Sequence, residues 1–203
     1  MPKVTADISV SLDGFVTGPN DSVALGLGEG GERLHEWIFD LASWRRAHGM
    51  EGGEGGQDSD IMEEAIENVG AVVMGRRMFD HGEEPWGDEP PFRVPVIVLT
   101  HRPRDPLEKK GGTTFTFVTD GVESAVGRAR EAAGDGNVSV AGGAQAIQQV
   151  MEAGLLDEIQ IHLVPVLLGG GVRLFENLRP RELERIRVID SPGVTHMKFR
   201  VSG

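Results

Sequence analysis

The sequence predicts an α/β protein with helices on both faces of a mostly parallel sheet. Apolar, β-favouring segments alternate with helical patterns along most of the 203 residues, which is the order expected for parallel strands joined by crossover helices. The C-terminal end differs, because two alternating segments flank a tight turn at residues 191–194 and predict an antiparallel hairpin. No segment of linker composition interrupts this pattern. We therefore expect residues 1–203 to form one three-layer α/β/α domain with the hairpin at one edge of the sheet.

The first third of the chain predicts one strand and two helices. Apolar residues at alternate positions of residues 4–10 predict a strand, and the Asp13-Gly14 pair after it predicts a turn. The three-and-four spacing of apolar residues in 34–44 predicts an amphipathic helix. Residues 49–60 are too polar and glycine-rich to pack, so we expect a mobile loop there. A second helix is predicted to follow, with the apolar residues of 61–69 on one face.

The rest of the chain alternates strands and helices. Five β-rich segments predict strands at residues 71–75, 94–100, 114–118, 137–141 and 157–165. Helical patterns between the later segments predict helices at residues 122–133 and 145–153, each followed by a glycine. The two arms of the predicted hairpin are residues 183–190 and 195–201.

Composition excludes several classes of function. The net charge of −12 leaves no broad basic face of the kind that nucleic-acid binding requires. Cysteine is absent, which excludes disulfides, thiolate zinc sites and a cysteine nucleophile, and the six histidines show no metal-ligand spacing. No segment reaches the ~20 apolar residues of a membrane span, and the N-terminus lacks the features of a signal peptide. We expect a cytoplasmic protein that binds a small molecule, without nucleic acid, membrane or metal.

Three of the predicted strands end in residues that suit an anion. They are followed by Gly75-Arg76-Arg77, by His101-Arg102 and by Gly142-Gly143-Ala144-Gln145. In open α/β sheets, ligands bind beyond the carboxyl ends of the strands, where helix N-termini offer unpaired N–H groups. Glycine lets the backbone approach a phosphate, and arginine offers planar donors for its oxygens. The pattern predicts a shared anion site, although each signal alone also fits a plainer interpretation: solvent-facing arginines, a charged turn, or a tight strand-to-helix turn.

Other motifs with well-defined chemistry are absent or poorly placed. The chain contains no G-x-x-x-x-G-K-[ST] phosphate loop, no G-x-S-x-G and no zinc-deaminase motif. Residues 26–31 match G-x-G-x-x-G by spacing, but Glu29 would occupy the phosphate position, so we interpret them as a surface loop. His162 lies within a predicted strand beside apolar residues, which favours a hydrogen-bonded structural histidine over a catalyst.

Several segments together resemble the reductase domain of bacterial riboflavin-biosynthesis deaminase-reductases, which shares the dihydrofolate-reductase fold. The resemblance is carried by SLDGFVTGPND, VVMGRRMF, VIVLTHRP, the block from Val138 to Phe175 and the closing hairpin. It implies NADPH as hydride donor, with the pyrophosphate over the strand-end glycines and the 2′-phosphate near the basic residues. It also implies a homodimer. The cofactor-binding residues implied by these segments are Gly75, Arg76, Arg77, Thr100, His101, Arg102, Gly142, Gly143, Ala144 and Gln145.

Asp13 is the leading candidate for a catalytic residue that contacts substrate. It stands in the family's Ser-Leu-Asp-Gly signature at the mouth of the first strand. A turn in which the carboxylate only caps the backbone is an equal alternative. Glu36 and Asp40 are a second candidate pair, because they are four residues apart on the predicted first helix, with solvated helix charges as the alternative.

The resemblance implies a reductase that acts on a small heterocycle. A 5-amino-6-ribosylaminouracil phosphate or a dihydropterin would be a suitable substrate, and either reduction needs a group that supplies a proton. The alternative is a non-catalytic nucleotide- or small-molecule-binding protein that retains the fold, because fold alone does not fix function.

Overall fold

The computed structural model describes residues 2–201, and its named strands there form one nine-stranded sheet in the order β4-β5-β3-β2-β6-β1-β7-β9-β8. The strands are β1 (Val4–Ser11), β2 (Val69–Gly75), β3 (Val96–Leu99), β4 (Leu107–Glu108), β5 (Thr114–Val118), β6 (Asn137–Gly142), β7 (Glu158–Val164), β8 (Leu183–Ser191) and β9 (Val194–Val201). The six strands from β5 to β7 run parallel, whereas β4 at one edge and the β8–β9 hairpin at the other are antiparallel. The predicted mostly parallel sheet with a C-terminal hairpin is confirmed.

Helices cover both faces of this sheet. They are α1 (Ala42–Ala47), α2 (Gln57–Ile66), α3 (Arg76–Gly82), α4 (Val122–Ala133) and α5 (Ala144–Glu152). Helices α4 and α5 pack on one face, where their apolar residues join a core with Val73 and Val140. On the other face, Phe79 of α3 packs against Val98 and Phe115, and α2 lies over the hairpin. Among residues 2–201, none of the helices combines the length and apolar character needed to cross a lipid bilayer.

The first predicted helix is wrong for most of its length. Residues 35–40 form a bend and successive turns, and α1 begins only at Ala42. The reason is a long-range pairing with the segment that returns from α1. Glu54 donates its N–H to the Asp40 carbonyl oxygen (2.6 Å) and accepts the Ala42 N–H (2.8 Å), and Leu41 between them is extended. Because these backbone groups are already bonded, the helix cannot extend through them.

The same pairing corrects the expectation for residues 49–60. Glu54 is fixed beside α1, and a Cβ on Gly53 would lie 2.8 Å from the Ala42 Cα, so this part of the loop packs closely. Helix α2 begins at Gln57, inside the segment predicted to be a loop, and ends at Ile66. Val69, which the sequence placed on the helix, is the first residue of β2.

Two loops rich in glycine pack backbone against backbone at the carboxyl end of β1. We call residues 14–31 and 167–173 the paired rim loops. Val172 donates its N–H to the Thr17 hydroxyl oxygen (3.2 Å). A Cβ on Gly171 would lie 1.9 Å from the Thr17 carbonyl oxygen, and φ at this residue is +121°. Only glycine fits such an approach, so the absence of a side chain there is what lets the two loops meet.

Candidate active site

The carboxyl ends of β3, β2 and β6 lie side by side. These strands are parallel neighbours, so the residues that follow them share one edge of the sheet. The closest approach joins Gly75 to the glycine pair after β6. A Cβ built on Gly75 would lie 3.7 Å from the Gly143 nitrogen and 3.8 Å from the Gly142 carbonyl oxygen. The three strand ends singled out in the sequence therefore meet in one place, and the ligand that they hold stays a prediction.

Gly142 and Gly143 form a backbone segment without side chains, the glycine cradle, at the start of α5; Gly142 is buried and Gly143 is exposed. Gly142 has φ of +126°, a conformation that favours glycine, and Gly143 is the N-cap of α5 without a side-chain capping bond. Among residues 2–201, no atom lies within 4 Å of a Cβ built on Gly143. Ala144 is buried and Gln145 is exposed. Because the first N–H groups of a helix lack acceptors within the helix, the cradle can bind an anion such as a pyrophosphate.

Arg76 and Arg102 hold one carboxylate between them, that of Asp80. Asp80 accepts Arg76 Nε–H at 2.6 Å and Arg102 Nη2–H at 2.7 Å. Burial acts to raise the pKa of Asp80, but the two guanidinium groups hold this pKa below its ordinary value. The anion that balances these cations is therefore part of the chain. The Arg102 side chain is still 67% exposed, so its remaining donors can meet a second anion.

Arg77 binds a different carboxylate from its neighbour. Its Nη2 donates to Asp21 in the first rim loop, at 2.6 Å to Oδ1 and 2.9 Å to the carbonyl oxygen. The Arg77 side chain thus ties α3 to the rim. After β3, the buried Thr100 hydroxyl accepts the Arg102 N–H (3.0 Å) and shapes the turn, while His101 is exposed. The two adjacent arginines are therefore separated by the carboxylates they bind.

The Asp13 carboxylate accepts three hydrogen bonds from the chain itself. Oδ1 accepts the Ser11 hydroxyl (2.6 Å) and the Leu168 N–H (3.2 Å), and Oδ2 accepts the Gly169 N–H (2.8 Å). The Ser11 hydroxyl is the main cause that lowers the Asp13 pKa; burial opposes it, and the two N–H groups lower the pKa further. This geometry favours an ionised carboxylate that caps the second rim loop. A catalytic role for Asp13 stays a prediction.

Glu36 and Asp40 do not form the pair that the sequence suggested. They lie in the turns before α1 rather than on one face of a helix, and both are exposed. Glu36 and Asp40 are therefore not placed together by a helix, which was the reason for considering them as a catalytic pair.

A buried polar cluster beneath Trp37 was not predicted. The Trp37 indole N–H donates to the Ser9 hydroxyl (3.2 Å), and its ring lies 4.7 Å and 5.0 Å from the rings of His162 and His196. Ser9 and Ser11 are buried on the same face of β1. A central parallel strand covered on both faces is ordinarily apolar throughout. The polar residues at alternate positions of β1 were therefore the available signal, once this strand was recognised as central. Residues 2–201 contain no group of three or more histidine and carboxylate side chains placed to hold a metal ion.

Two cavities lie away from the glycine cradle. One of about 560 Å³ opens near the β8–β9 turn, between Leu163 and Thr195, and none of the predicted site residues lines it. The other, of about 340 Å³, lies at the amino ends of β1 and β7 and is lined by Asp7, Gln160 and Lys198.

Comparison with known proteins identifies the family. Residues 2–195 match the family model of the RibD C-terminal domain. The chain is 25% identical over 176 residues to YwjB of Bacillus subtilis (strain 168), covering 87% of this chain and 84% of that protein. It is 22% identical to YyaP of the same organism, covering 88% of this chain and 83% of that protein.

Solved structures share the fold at low sequence identity. A provisionally named riboflavin biosynthesis protein from Shewanella sp. PV-4 has a TM-score of 0.69 and 20% identity, with 99% of each chain covered. The deaminase/reductase from Thermotoga maritima has a TM-score of 0.61 and 15% identity, over 99% of this chain and 57% of that one. Dihydrofolate reductase from Enterococcus faecalis, complexed with NADP(H), has a TM-score of 0.53 and 12% identity, over 98% and 94%. These likenesses show a dihydrofolate-reductase-like fold. Because the family model spans nearly the whole chain, the protein belongs to the RibD C-terminal domain family and has its reductase-like fold.

Proposed function

We propose that the protein is an NADPH-dependent reductase that transfers hydride to a small heterocyclic substrate. The observation that carries the proposal is the approach of Gly75 to the glycine cradle, because Gly75 leads directly into Arg76, whose Nη1 donates to the Arg102 carbonyl oxygen at 3.4 Å. A dinucleotide phosphate needs both features, because backbone N–H groups suit its pyrophosphate and guanidinium groups suit a further phosphate. The NADP(H) in the Enterococcus faecalis relative supports the choice of cofactor.

The residues of the strand ends fit this cofactor. Gly142 and Gly143 would hold the pyrophosphate, since the open side of Gly143 leaves room where a side chain would stand. Arg102 would hold the 2′-phosphate through its exposed donors, while Asp80 fixes Arg76 beside it. When bound, NADPH supplies the hydride, and the chain positions it and supplies the balancing proton.

The proposed substrate is a 5-amino-6-ribosylaminouracil phosphate or a dihydropterin. The first is supported by the Thermotoga maritima relative, which is described as a 5-amino-6-(5-phosphoribosylamino)uracil reductase, and the second by the dihydrofolate reductase relative. Asp13 lies at the mouth of β1 between the rim loops, where it would order the wall of the substrate site. A homodimer and a cytoplasmic location stay predictions from the sequence.

Replacing Gly143 with alanine tests the proposal. Wild-type protein should bind NADPH saturably, and more tightly than NADH, in a fluorescence titration. Gly143→Ala should weaken NADPH binding by about tenfold or more, equivalent to about 1.4 kcal/mol, because the methyl group occupies the pyrophosphate position. The fold should be unchanged, since this Cβ meets no atom of residues 2–201 within 4 Å.

Gly127→Ala is the matched control. It makes the same change at an exposed position of α4 that is also open, so NADPH should bind as in the wild type. Failure of the wild type to bind either dinucleotide would remove the reductase proposal. Equal affinity in Gly143→Ala and wild type would remove the cradle from the site. Binding without NADPH oxidation in the presence of either proposed substrate would favour the non-catalytic alternative.

A further inference from the structure

His162 and His196 form a buried pair clamped by a carboxylate at each end. Both side chains are 1% exposed, and they face each other across β7 and β9. The two Nδ1 atoms are 2.6 Å apart. His162 Nε2 lies 2.7 Å from Asp7 Oδ1, and His196 Nε2 lies 3.2 Å from Asp58 Oδ1. The four side chains thus form a continuous hydrogen-bonded row from β1 to α2.

These contacts fix how many protons the pair holds. One proton must lie between the Nδ1 atoms, because two lone pairs or two N–H groups would repel at 2.6 Å. Asp7 also accepts the Gln160 side-chain N–H (3.1 Å), and Asp58 also accepts the Ser191 hydroxyl (2.5 Å), so both carboxylates act as acceptors. Each histidine Nε2 must then carry a hydrogen. Three protons on four ring nitrogens make one imidazolium and one neutral imidazole.

The geometry assigns the positive charge to His162. Its contact with Asp7 is 0.5 Å shorter than that of His196 with Asp58, the difference between the 3.2 Å and 2.7 Å distances, and charge-assisted hydrogen bonds are the shorter ones. Burial lowers the pKa of His196, and the proximity of His162 lowers it further, in keeping with a neutral His196.

Other titratable groups on this side of the sheet leave the assignment unchanged. Burial lowers the pKa of His35 to about 4, and the nearby His162 contributes, so His35 is neutral. The charged groups of the surrounding elements are Asp7 on β1, Asp58 and Glu64 on α2, Arg187 on β8, Glu158 on β7 and Lys198 on β9. Glu64 is paired with Arg187 and Lys198, and Glu158 with Lys3 and Lys198. The carboxylates in contact with the histidine pair are those of Asp7 and Asp58.

We propose that the His162–His196 pair holds the proton that balances hydride transfer, a role that rests on the proposed reductase function. The substrate carbon gains the hydride as the π electrons of its C=N or C=O bond move to the heteroatom. That heteroatom takes the proton that the pair releases. The pair falls from three protons to two, which leaves two lone pairs facing each other at 2.6 Å and drives the uptake of a proton from water.

The fold connects the pair to both solvent and site. Asp7 lines the cavity of about 340 Å³ at the amino ends of the strands, which provides the route for proton uptake. At the carboxyl ends of the strands, Ser191 donates its hydroxyl to Asp58 and lines the cavity of about 560 Å³, which Leu12 beside Asp13 also lines. Ser9 stands opposite His162 in the β1–β7 register and accepts the Trp37 indole N–H. Trp37 covers the pair and seals it from the side.

The charge of the pair can be measured on the wild-type protein without any ligand. In ¹⁵N-detected NMR of histidine ring nitrogens at pH 7, His162 should show both nitrogens protonated and His196 only Nε2. His162→Gln and His196→Gln assign the signals. An ordinary histidine with a pKa near 6.5 would be mostly neutral at this pH. Two neutral rings with no proton between the Nδ1 atoms would overturn the proposal.

Hydride-transfer kinetics test the use of the proton. With dihydrofolate or 5-amino-6-ribosylaminouracil 5′-phosphate, the wild-type rate should fall as rising pH removes the third proton from the pair. His162→Gln should lower this rate about 100-fold and flatten its pH profile while NADPH binds with unchanged affinity. His48→Gln, the same change at an exposed histidine, should behave as wild type.

The possible failures point to different claims. An unchanged pH profile in His162→Gln and His196→Gln would overturn the role of the pair even if NADPH is oxidised. If neither substrate supports NADPH oxidation, the proposed function fails and takes the proton-donor role with it, whereas the NMR result still decides the charge of the pair. Should the variants fail to fold, the wild-type NMR spectrum and pH profile decide alone, since a rate independent of pH would also refute the proposal.

Discussion

Asp13→Asn should destabilise the second rim loop, because an amide cannot accept all three hydrogen bonds that the Asp13 carboxylate accepts. With its oxygen at the Oδ1 position, asparagine keeps the Ser11 and Leu168 bonds, but its NH₂ group then faces the Gly169 N–H that now sits 2.8 Å from Oδ2. One charge-assisted hydrogen bond is lost and two donors are brought together. Hydrogen bonds to charged groups contribute about 1.5–3 kcal/mol, and partial exposure places this one at the low end, about 1–2 kcal/mol.

The loss should appear both globally and locally. For a chain of this size, 1 kcal/mol shifts the melting temperature by roughly 2–4 °C, so Asp13→Asn should melt about 2–8 °C lower at pH 7. Hydrogen exchange should accelerate at the Leu168 and Gly169 amides. Asp40→Asn, at an exposed carboxylate, is the control and should change neither measurement.

Acid should remove the difference between wild type and variant. The Ser11 hydroxyl, followed by the two loop N–H groups, holds the Asp13 pKa below its ordinary value against the opposing effect of burial. A lowered pKa stabilises the folded state above the unfolded pKa of about 3.9, and this contribution disappears as the pH falls through the folded pKa. If Asp13→Asn leaves the melting temperature and both exchange rates unchanged but abolishes NADPH oxidation, the carboxylate acts on substrate and the capping argument is wrong.

Two further substitutions test the surroundings of the strand ends. Asp80→Asn removes the carboxylate between Arg76 and Arg102, so we expect NADPH to bind about threefold to tenfold more tightly relative to NADH. Loss of one nearby like charge contributes roughly 1 kcal/mol where water screens it, and the Arg102 side chain is largely exposed. Weaker NADPH binding in a fluorescence titration would show instead that Asp80 positions the arginines. Phe79→Ala removes a fully buried ring in edge-to-face contact with Phe115, with 5.0 Å between the ring centroids. Urea denaturation should show a free energy of unfolding lower by about 3–5 kcal/mol. A loss below about 1 kcal/mol would mean that the core around α3 repacks.

The parallel part of the sheet could be predicted because its signals are local. Apolar segments such as residues 137–141 end at a glycine and lead into a helical pattern, and each of these features lies within a few residues. The helix predicted at residues 34–44 was wrong because the structure there depends on a distant part of the chain. The apolar spacing was genuine, but the Leu41 backbone pairs with Glu54 thirteen positions later, and no local pattern reports such a pairing.

The candidate site divides in the same way. The meeting of Gly75 with Gly142 follows from parallel strands that end together, so strand order was enough to suggest it. The carboxylate partner of Arg76 was visible in principle, since Asp80 stands four residues away on a helix. The contact between His162 and His196 could not be predicted from the sequence, because it depends on the register of β7 against β9, which neither segment specifies alone.

The paired rim loops have a mechanical consequence. The backbone of Gly171 packs directly against the backbone of Thr17, with no side chain between them, so neither loop can shift without displacing the other. An insertion or fluorescent label in one rim loop will therefore disturb the other, some 150 positions away along the polypeptide. The two loops shift or hold as a unit, and libraries that randomise only one of them will sample backbone arrangements that the other excludes.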